Sequence, residues 1–173
     1  MALKESDTMP AMTDPANALA LFQEAFAQGL IPVEQGRIDP NLLFAPDDPN
    51  GRPRFNYMRA NGKTLSVLVM FAHSGMIEGH PCFSIGYAVA KAYRGRRLAK
   101  STLVAALAEF TNGLAGAGIP IIHIEAVVGT DNLLSQRVAT ALFEEPPAAI
   151  TDSQSGLPAL HYIRQIHLSK DGG

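Results

Sequence analysis

The sequence predicts an α/β chain in which a mixed β-sheet is flanked by helices. Strand-like segments recur after residue 54, separated by helix-like ones. A strand, a long helix and a second strand follow one another between Cys82 and Val128, the order of a βαβ crossover. The second of those strands, Ile121 to Val128, is almost continuously apolar, as a buried strand is.

With 173 residues and 47% hydrophobic content, the chain is long enough for one domain with a substantial core. The formal net charge of -2 gives no global reason to expect a nucleic-acid or membrane-surface partner, so any anion site must be local. Cys82 is the single cysteine; it cannot form an internal disulfide and has no companion at zinc-ligand spacing, so no metal is expected. A reducing compartment fits. No signal-peptide run opens the chain and no stretch of about 18 apolar residues could span a bilayer, so a soluble cytoplasmic protein is expected.

Residues 1–13 read as a poorly ordered start and residues 14–173 as the single domain. Asp14 is placed to cap a helix whose first position is Pro15, with Leu19, Leu21, Phe22 and Phe26 as its apolar stripe and Gly29 as its stop. The spacing predicts Pro15 to Gln28. Between Ile31 and Pro53, four prolines and the run Asp47-Asp48-Pro49-Asn50-Gly51 predict loop, with room for one short helix near Asn41 to Phe44. From Arg54 a strand leads to a hairpin turn at Asn61-Gly62, a second strand runs from Thr64 to Ala72, and a polar loop from His73 to Pro81 precedes a third strand, Cys82 to Val89. Gly86 inside that strand suggests a bulge or a close backbone approach.

Leu103, Leu107, Phe110 and Leu114 recur at helical spacing up to Gly116 and Gly118. After the buried strand, another helix starts near Asp131 with Leu134, Val138 and Leu142 inward, and Pro146-Pro147 stops it. A turn around Ser153 to Pro158 leads to a last strand, Ala159 to Leu168.

The segment Arg94-Gly95-Arg96-Arg97-Leu98-Ala99-Lys100-Ser101 joins the third strand to the long helix. Unpaired backbone N–H groups and the positive end of the helix dipole coincide there, which makes a phosphate site. Five cations fall between Lys91 and Lys100 with no acid among them. Cations at this end oppose the helix dipole, so they are a poor choice for stability alone and a good one for holding a diphosphate. Neither a Walker loop nor the three-glycine dinucleotide fingerprint occurs.

This stretch resembles motif A of the GCN5-related N-acetyltransferases (GNAT), Q/R-x-x-G-x-G/A, with Arg94 first, Leu98 between the last two and Ala99 last. Arg97 stands where that family usually has glycine. The resemblance extends through Ile85-Gly86-Tyr87-Ala88-Val89 before it and Ile124-Glu125-Ala126-Val127 after it, and covers roughly Phe55 to Leu168. Asn132-Leu133-Leu134-Ser135-Gln136-Arg137-Val138 looks like the N-x-x-S-x-x-V stretch of members related to the ribosomal-protein and N-terminal acetyltransferases. Asn132 and Ser135 lie three apart and share a helix face; alternatively Asn132 only helps cap the helix and Ser135 faces water. Where the family continues to Gly-Phe, this chain has Phe143-Glu144.

The resemblance implies a GNAT-like fold, acetyl-CoA as co-substrate, no metal, and direct attack of a neutral amine on the thioester. It assigns the cofactor to Arg94, Gly95, Arg96, Arg97, Leu98, Ala99, Lys100 and Ser101, to the main chain of Tyr87, Ala88 and Val89, and to Asn132 and Ser135. For the amine's proton, Glu125 and His123 share a strand face; a partly buried Glu125 would have a raised pKa, or would instead be a structural partner for a cation. His73 and His80 are further candidates. The tyrosine that many relatives place seven residues after the asparagine is Ala139 here, so Ser135, an ordered water or Tyr162 would assist the leaving thiolate. The acceptor is a small-molecule or protein amine, selected by residues 31–54, the His73 to Pro81 loop and the final hairpin. A strand before the first helix is also implied, and sheet edges offer a route to a homodimer. A non-catalytic acyl-CoA sensor or scaffold with the same fold is the alternative.

Overall fold

The computed structural model describes residues 14–169. The expected loose start and any strand within it lie outside the described residues. Helix α1 (Pro15–Ala27) begins as its sequence dictates, with the Asp14 carboxylate accepting the Ala16 N–H at 3.1 Å. Ala18 and Leu19 face inward, whereas Leu21, expected in the stripe, is 66% exposed. Two residues turn a helix by about 200°, so Leu19 and Leu21 cannot share a face.

The region expected to be loop and a short helix instead holds strands β1 (Glu34–Gln35) and β2 (Leu43–Asp47), then a 3-10 turn at Pro49–Gly51. Pairing across the sheet overrides the local proline signal. β2 runs antiparallel to β3 (Arg54–Asn61), from Leu43 opposite Met58 to Asp47 opposite Arg54. The Arg54 guanidinium grips the Asp47 carboxylate, and the buried Asn56 amide bonds both Asp47 Oδ1 and the Ala45 carbonyl.

The second and third strands are longer than expected. β4 spans Thr64–Ile77 and β5 spans His80–Val89, so the stretch from His73 to Pro81 is a hairpin rather than a polar loop. Its two-residue turn, Glu78 and Gly79, has positive φ at both positions (51° and 80°), the geometry that matches strand twist. A register shift between His73 and Gly75 absorbs the polar residues that read as loop. No bulge occurs at Gly86, which stays in register opposite Met70.

Helix α2 (Leu98–Gly116), strand β6 (Ile121–Gly129), helix α3 (Leu133–Leu142) and strands β7 (Ala148–Thr151) and β8 (Pro158–His167) complete the order. One sheet runs β1-β2-β3-β4-β5-β6-β8-β7, antiparallel throughout except for the parallel β5–β6 pair. Even-numbered residues of β3 to β5, such as Met58, Leu68, Met70 and Ala88, pack under α1. Odd-numbered ones, such as Val67, Val69, Phe71 and Ile85, pack under α2 and α3. On that second face Phe71 stacks on Phe110 with ring centroids 4.3 Å apart, a contact worth about 1 kcal/mol beyond its burial. Leu134, expected inward, is 74% exposed; Leu142 is buried as expected, and Ala139 is buried on α3 as well.

The buried Glu109 on α2 fixes the turn between β1 and β2. Its carboxylate accepts the N–H groups of Arg37 (3.1 Å), Ile38 (2.5 Å) and Asp39 (2.7 Å). Among the described residues no helix is long and apolar enough to cross a membrane, and no group of three or more metal-ligating side chains gathers.

Candidate active site

β5 and β6 begin as neighbours and then part. Their ladder covers Cys82 to Ser84 opposite His123 to Glu125, whereas β5 continues to Val89 and β6 to Gly129. The parity of hydrogen bonding fixes what faces the opening. Ala90 donates its N–H to Ser66, and alternation along an antiparallel pair then turns Ala88 and Gly86 toward β4 and Ile85, Tyr87 and Val89 toward the gap. Backbone amides therefore point into a split in the sheet, and the cause is the end of strand pairing rather than a bulge.

A cleft of about 310 Å³ occupies the split. Asn132, Ser135 and Val138 of the α3 segment line it together with Gly86 and Tyr87, and so do Asp14 and Pro15 at the start of α1. Because α1 and α3 lie on opposite faces, this cleft reaches through the sheet. A second cleft of about 470 Å³ opens on the α1 face and shares Ile85, Gly86 and Val127 with the first. Its polar walls include His73, Ser74, Ser84, Glu125 and the Asp152 to Gln154 turn.

The basic segment sits where the sequence places it. Arg94, Gly95, Arg96, Arg97, Lys100 and Ser101 are exposed, and Leu98 opens α2. No side chain caps that helix: its N-cap is Arg97, and its first turn contains no acid. Leu98, Ala99 and Lys100 thus present N–H groups that the helix itself cannot satisfy. Arg97 adopts the left-handed conformation (φ 58°, ψ 25°) that glycine takes readily and arginine does not. Nothing lies within 4 Å of the position a side chain would take at Gly95, so the space above the turn is open. Arg94 Nε donates to the Val89 carbonyl at 3.2 Å, and the Arg96 guanidinium lies 5.3 Å from the centre of the Tyr93 ring.

Asn132 and Ser135 both line the split cleft, and Asn132 also caps α3, its Oδ1 accepting the Ser135 N–H at 3.2 Å. The Ser135 hydroxyl lies 2.8 Å from the Tyr87 hydroxyl, joining α3 to β5. Exposed Leu133 and Leu134 flank the cap on the solvent side.

Glu125 lines the second cleft, with Ser84 donating to Oε1 at 2.9 Å and His161 Nε2 at 2.8 Å from Oε2. Burial pushes its carboxyl up, but hydrogen bonds from His161, Ser74 and Ser84 and the His161 charge together outweigh it, so its pKa lies below the ordinary value. The expectation of a raised pKa is thereby corrected: burial is present, but it is more than offset. Because the carboxylate lies between the serine and the histidine, the group cannot work as a serine-hydrolase triad, where the histidine is central.

Tyr162 does not reach either cleft. It is 3% exposed and packs against Phe143 in the core under α3, with ring centroids 5.6 Å apart. Neighbours on a strand face opposite ways, so His161, one residue earlier, stands on the face of Glu125. The sequence reading missed His161 because the β6–β8 register alone sets it diagonally across from Glu125. His123 shares the Glu125 face but is 6% exposed with Nδ1 unpartnered, and it lines neither cleft. Of the other histidines considered, His73 lines the second cleft against the Phe83 ring, and His80 lies beside His123.

No protein-family model matches the chain, and no curated protein matches its sequence. Solved structures do match. A protein described as a GnaT-family acetyltransferase from Bordetella pertussis has a TM-score of 0.50 and 20% identity, over 68% of this chain and 67% of that one. RimL, a ribosomal L7/L12 alpha-N-protein acetyltransferase in complex with coenzyme A, has a TM-score of 0.50 and 17% identity, over 65% of this chain and 62% of that one. The chain thus spans about two thirds of the length of the first structure and less of the second. Identities this low establish architecture: the described chain, with its split mixed sheet between one helix and two, has the GNAT acyl-CoA N-acyltransferase fold.

Proposed function

We propose that this chain transfers an acetyl group from acetyl-CoA to a primary amine. The observation that carries this reading is the coincidence of an opened β5–β6 split with an uncapped, cation-rich helix start at the end of the same strand-to-helix connection. The residues present fit the cofactor. N–H groups of Leu98, Ala99 and Lys100, with Arg94, Arg96, Arg97 and Ser101 around them and open space above Gly95, form a seat for a diphosphate. Main-chain groups of Tyr87 and Val89 face the gap and would bond the pantetheine arm, while Asn132 and Ser135 line its other wall. RimL, of the same fold, is a coenzyme A complex and acts on a protein α-amine, which supports both the cofactor and the amine class.

Acetyl-CoA supplies the activated acyl group. The chain's own residues do the rest. The two clefts meet at Ile85, Gly86 and Val127, so an amine entering from the α1 face would meet a thioester held in the split. Glu125, kept ionised, orients that amine, and the Glu125–His161 pair takes up its proton. Backbone N–H groups directed into the gap polarise the thioester carbonyl.

Calorimetry with acetyl-CoA, followed by a thiol-release assay over a panel of primary amines, tests the proposal. Binding together with amine-dependent release is expected. Binding without release on any amine would favour the acyl-CoA sensor, and absence of binding would defeat both.

A further inference from the structure

We propose that the Tyr87 phenol, aligned by Ser135, is the acid that protonates the departing thiolate. This rests on the transferase reading above. The chemistry sets the requirement: as the amine nitrogen bonds the acyl carbon, the carbon–sulfur bond breaks and its electron pair leaves on sulfur. That sulfur departs toward the cofactor side, which is the split cleft between β5, β6 and α3.

Among the described residues lining that cleft, two have ionisable side chains, Asp14 and Tyr87. Asp14 is occupied by the Ala16 N–H at the start of α1 and, as a carboxylate, only accepts. Tyr87 is half-buried, follows Gly86 where the two clefts meet, and sends its ring to the α3 side. Its hydroxyl ends 2.8 Å from Ser135 Oγ. Phenols and thiols titrate within about two units of one another, near 10 and 8.5, so proton transfer between them is close to balanced. A serine hydroxyl is a far weaker acid, and its place in this pair is to orient the phenol. The position seven residues after Asn132, Ala139, carries no acid, so the strand supplies what that helix position lacks.

The step balances. Tyr87 gives its proton to sulfur and releases a thiol, the amine's surplus proton passes to the Glu125–His161 side, and the phenolate regains a proton from solvent. The products are an amide and free coenzyme A.

The test compares Tyr87→Phe and Ser135→Ala with the unaltered chain, measuring acetyl-CoA binding by calorimetry and amine-dependent thiol release against pH. Tyr87→Phe keeps the ring and its packing; it is expected to bind acetyl-CoA within about threefold of the unaltered chain and to lose about 10²-fold or more in kcat. It should also lose the fall in kcat on the alkaline side that an acid shows once deprotonated. Ser135→Ala, which leaves the phenol in place, should lose less. Release by Tyr87→Phe within threefold of the unaltered chain, a loss confined to KM, or a Ser135→Ala loss as large as that of Tyr87→Phe would overturn the assignment. If Tyr87→Phe fails to fold, an alkaline limb unaltered in Ser135→Ala alongside a full loss of kcat there would also overturn it. Should the unaltered chain release no thiol with any amine, the transferase reading itself fails, a result separable from these.

Discussion

Glu125 on β6 and His161 on β8 meet across the sheet at 2.8 Å, although 36 residues separate them in the chain. Ser74 and Ser84 are the other side chains that hydrogen-bond the carboxylate, and His161 is the titratable one among these partners. Because the folded-state pKa of Glu125 lies below its ordinary 4.5, the unfolded chain binds the proton more readily. The ionised carboxylate therefore stabilises the fold above about pH 4.5, and that contribution is lost as pH falls through the lower folded value. Urea unfolding of Glu125→Gln beside the unaltered chain should show a stability gap at pH 6 that narrows toward pH 3. A gap that widens on acidification would show that the carboxyl is raised instead.

Arg97 holds φ at 58°, a conformation that costs a side-chain-bearing residue about 1 kcal/mol. Arg97→Gly should relieve it and raise the melting temperature by about 2–4 °C for a chain of this size. Acetyl-CoA affinity should fall at the same time through loss of the guanidinium. A thermal scan and a titration on the same variant read both effects.

Ala99 lies in the uncapped first turn of α2. A carboxylate there complements the helix dipole, so Ala99→Asp should stabilise the apo fold by about 0.5 kcal/mol. The same charge would repel a diphosphate from the same N–H groups, and acetyl-CoA affinity should fall about 10²-fold. Stability and binding moving in opposite directions would mark the turn as an anion seat; an unchanged affinity would place the cofactor elsewhere.

Glu109 accepts three backbone N–H groups from residues 37 to 39 while 8% exposed. Truncation leaves those donors without a partner, so Glu109→Ala should lose about 3 kcal/mol in denaturant unfolding. The loss should appear as a lower midpoint with an unchanged slope.

Much of this architecture was legible where local chemistry decides it. Asp14 and Pro15 start α1, and the apolar run from Ile121 becomes the central strand β6. The place of the basic segment was legible too, because the strand-to-helix order sets it at the start of α2, where no side chain caps the helix. What stayed hidden depends on partners distant in sequence. β2 forms because β3 offers it an edge, despite Pro46. The His73 to Pro81 stretch looked like loop because its residues are polar, although a register shift at Gly75 and a two-residue turn keep it in the sheet. Tyr162 offers a hydroxyl on the last strand, but strand alternation buries it in the core and turns its neighbour His161 toward Glu125. Tyr87 was read for its main chain, while its hydroxyl found Ser135 only through the packing of α3 over β5.

A crystal structure of the chain with acetyl-CoA bound tests the central claim most directly. Diphosphate oxygens should lie within hydrogen-bond distance of the N–H groups of Leu98, Ala99 and Lys100, with the pantetheine arm threaded between β5 and β6 beside Tyr87. Cofactor bound on another surface, with that gap left unoccupied, would contradict the account.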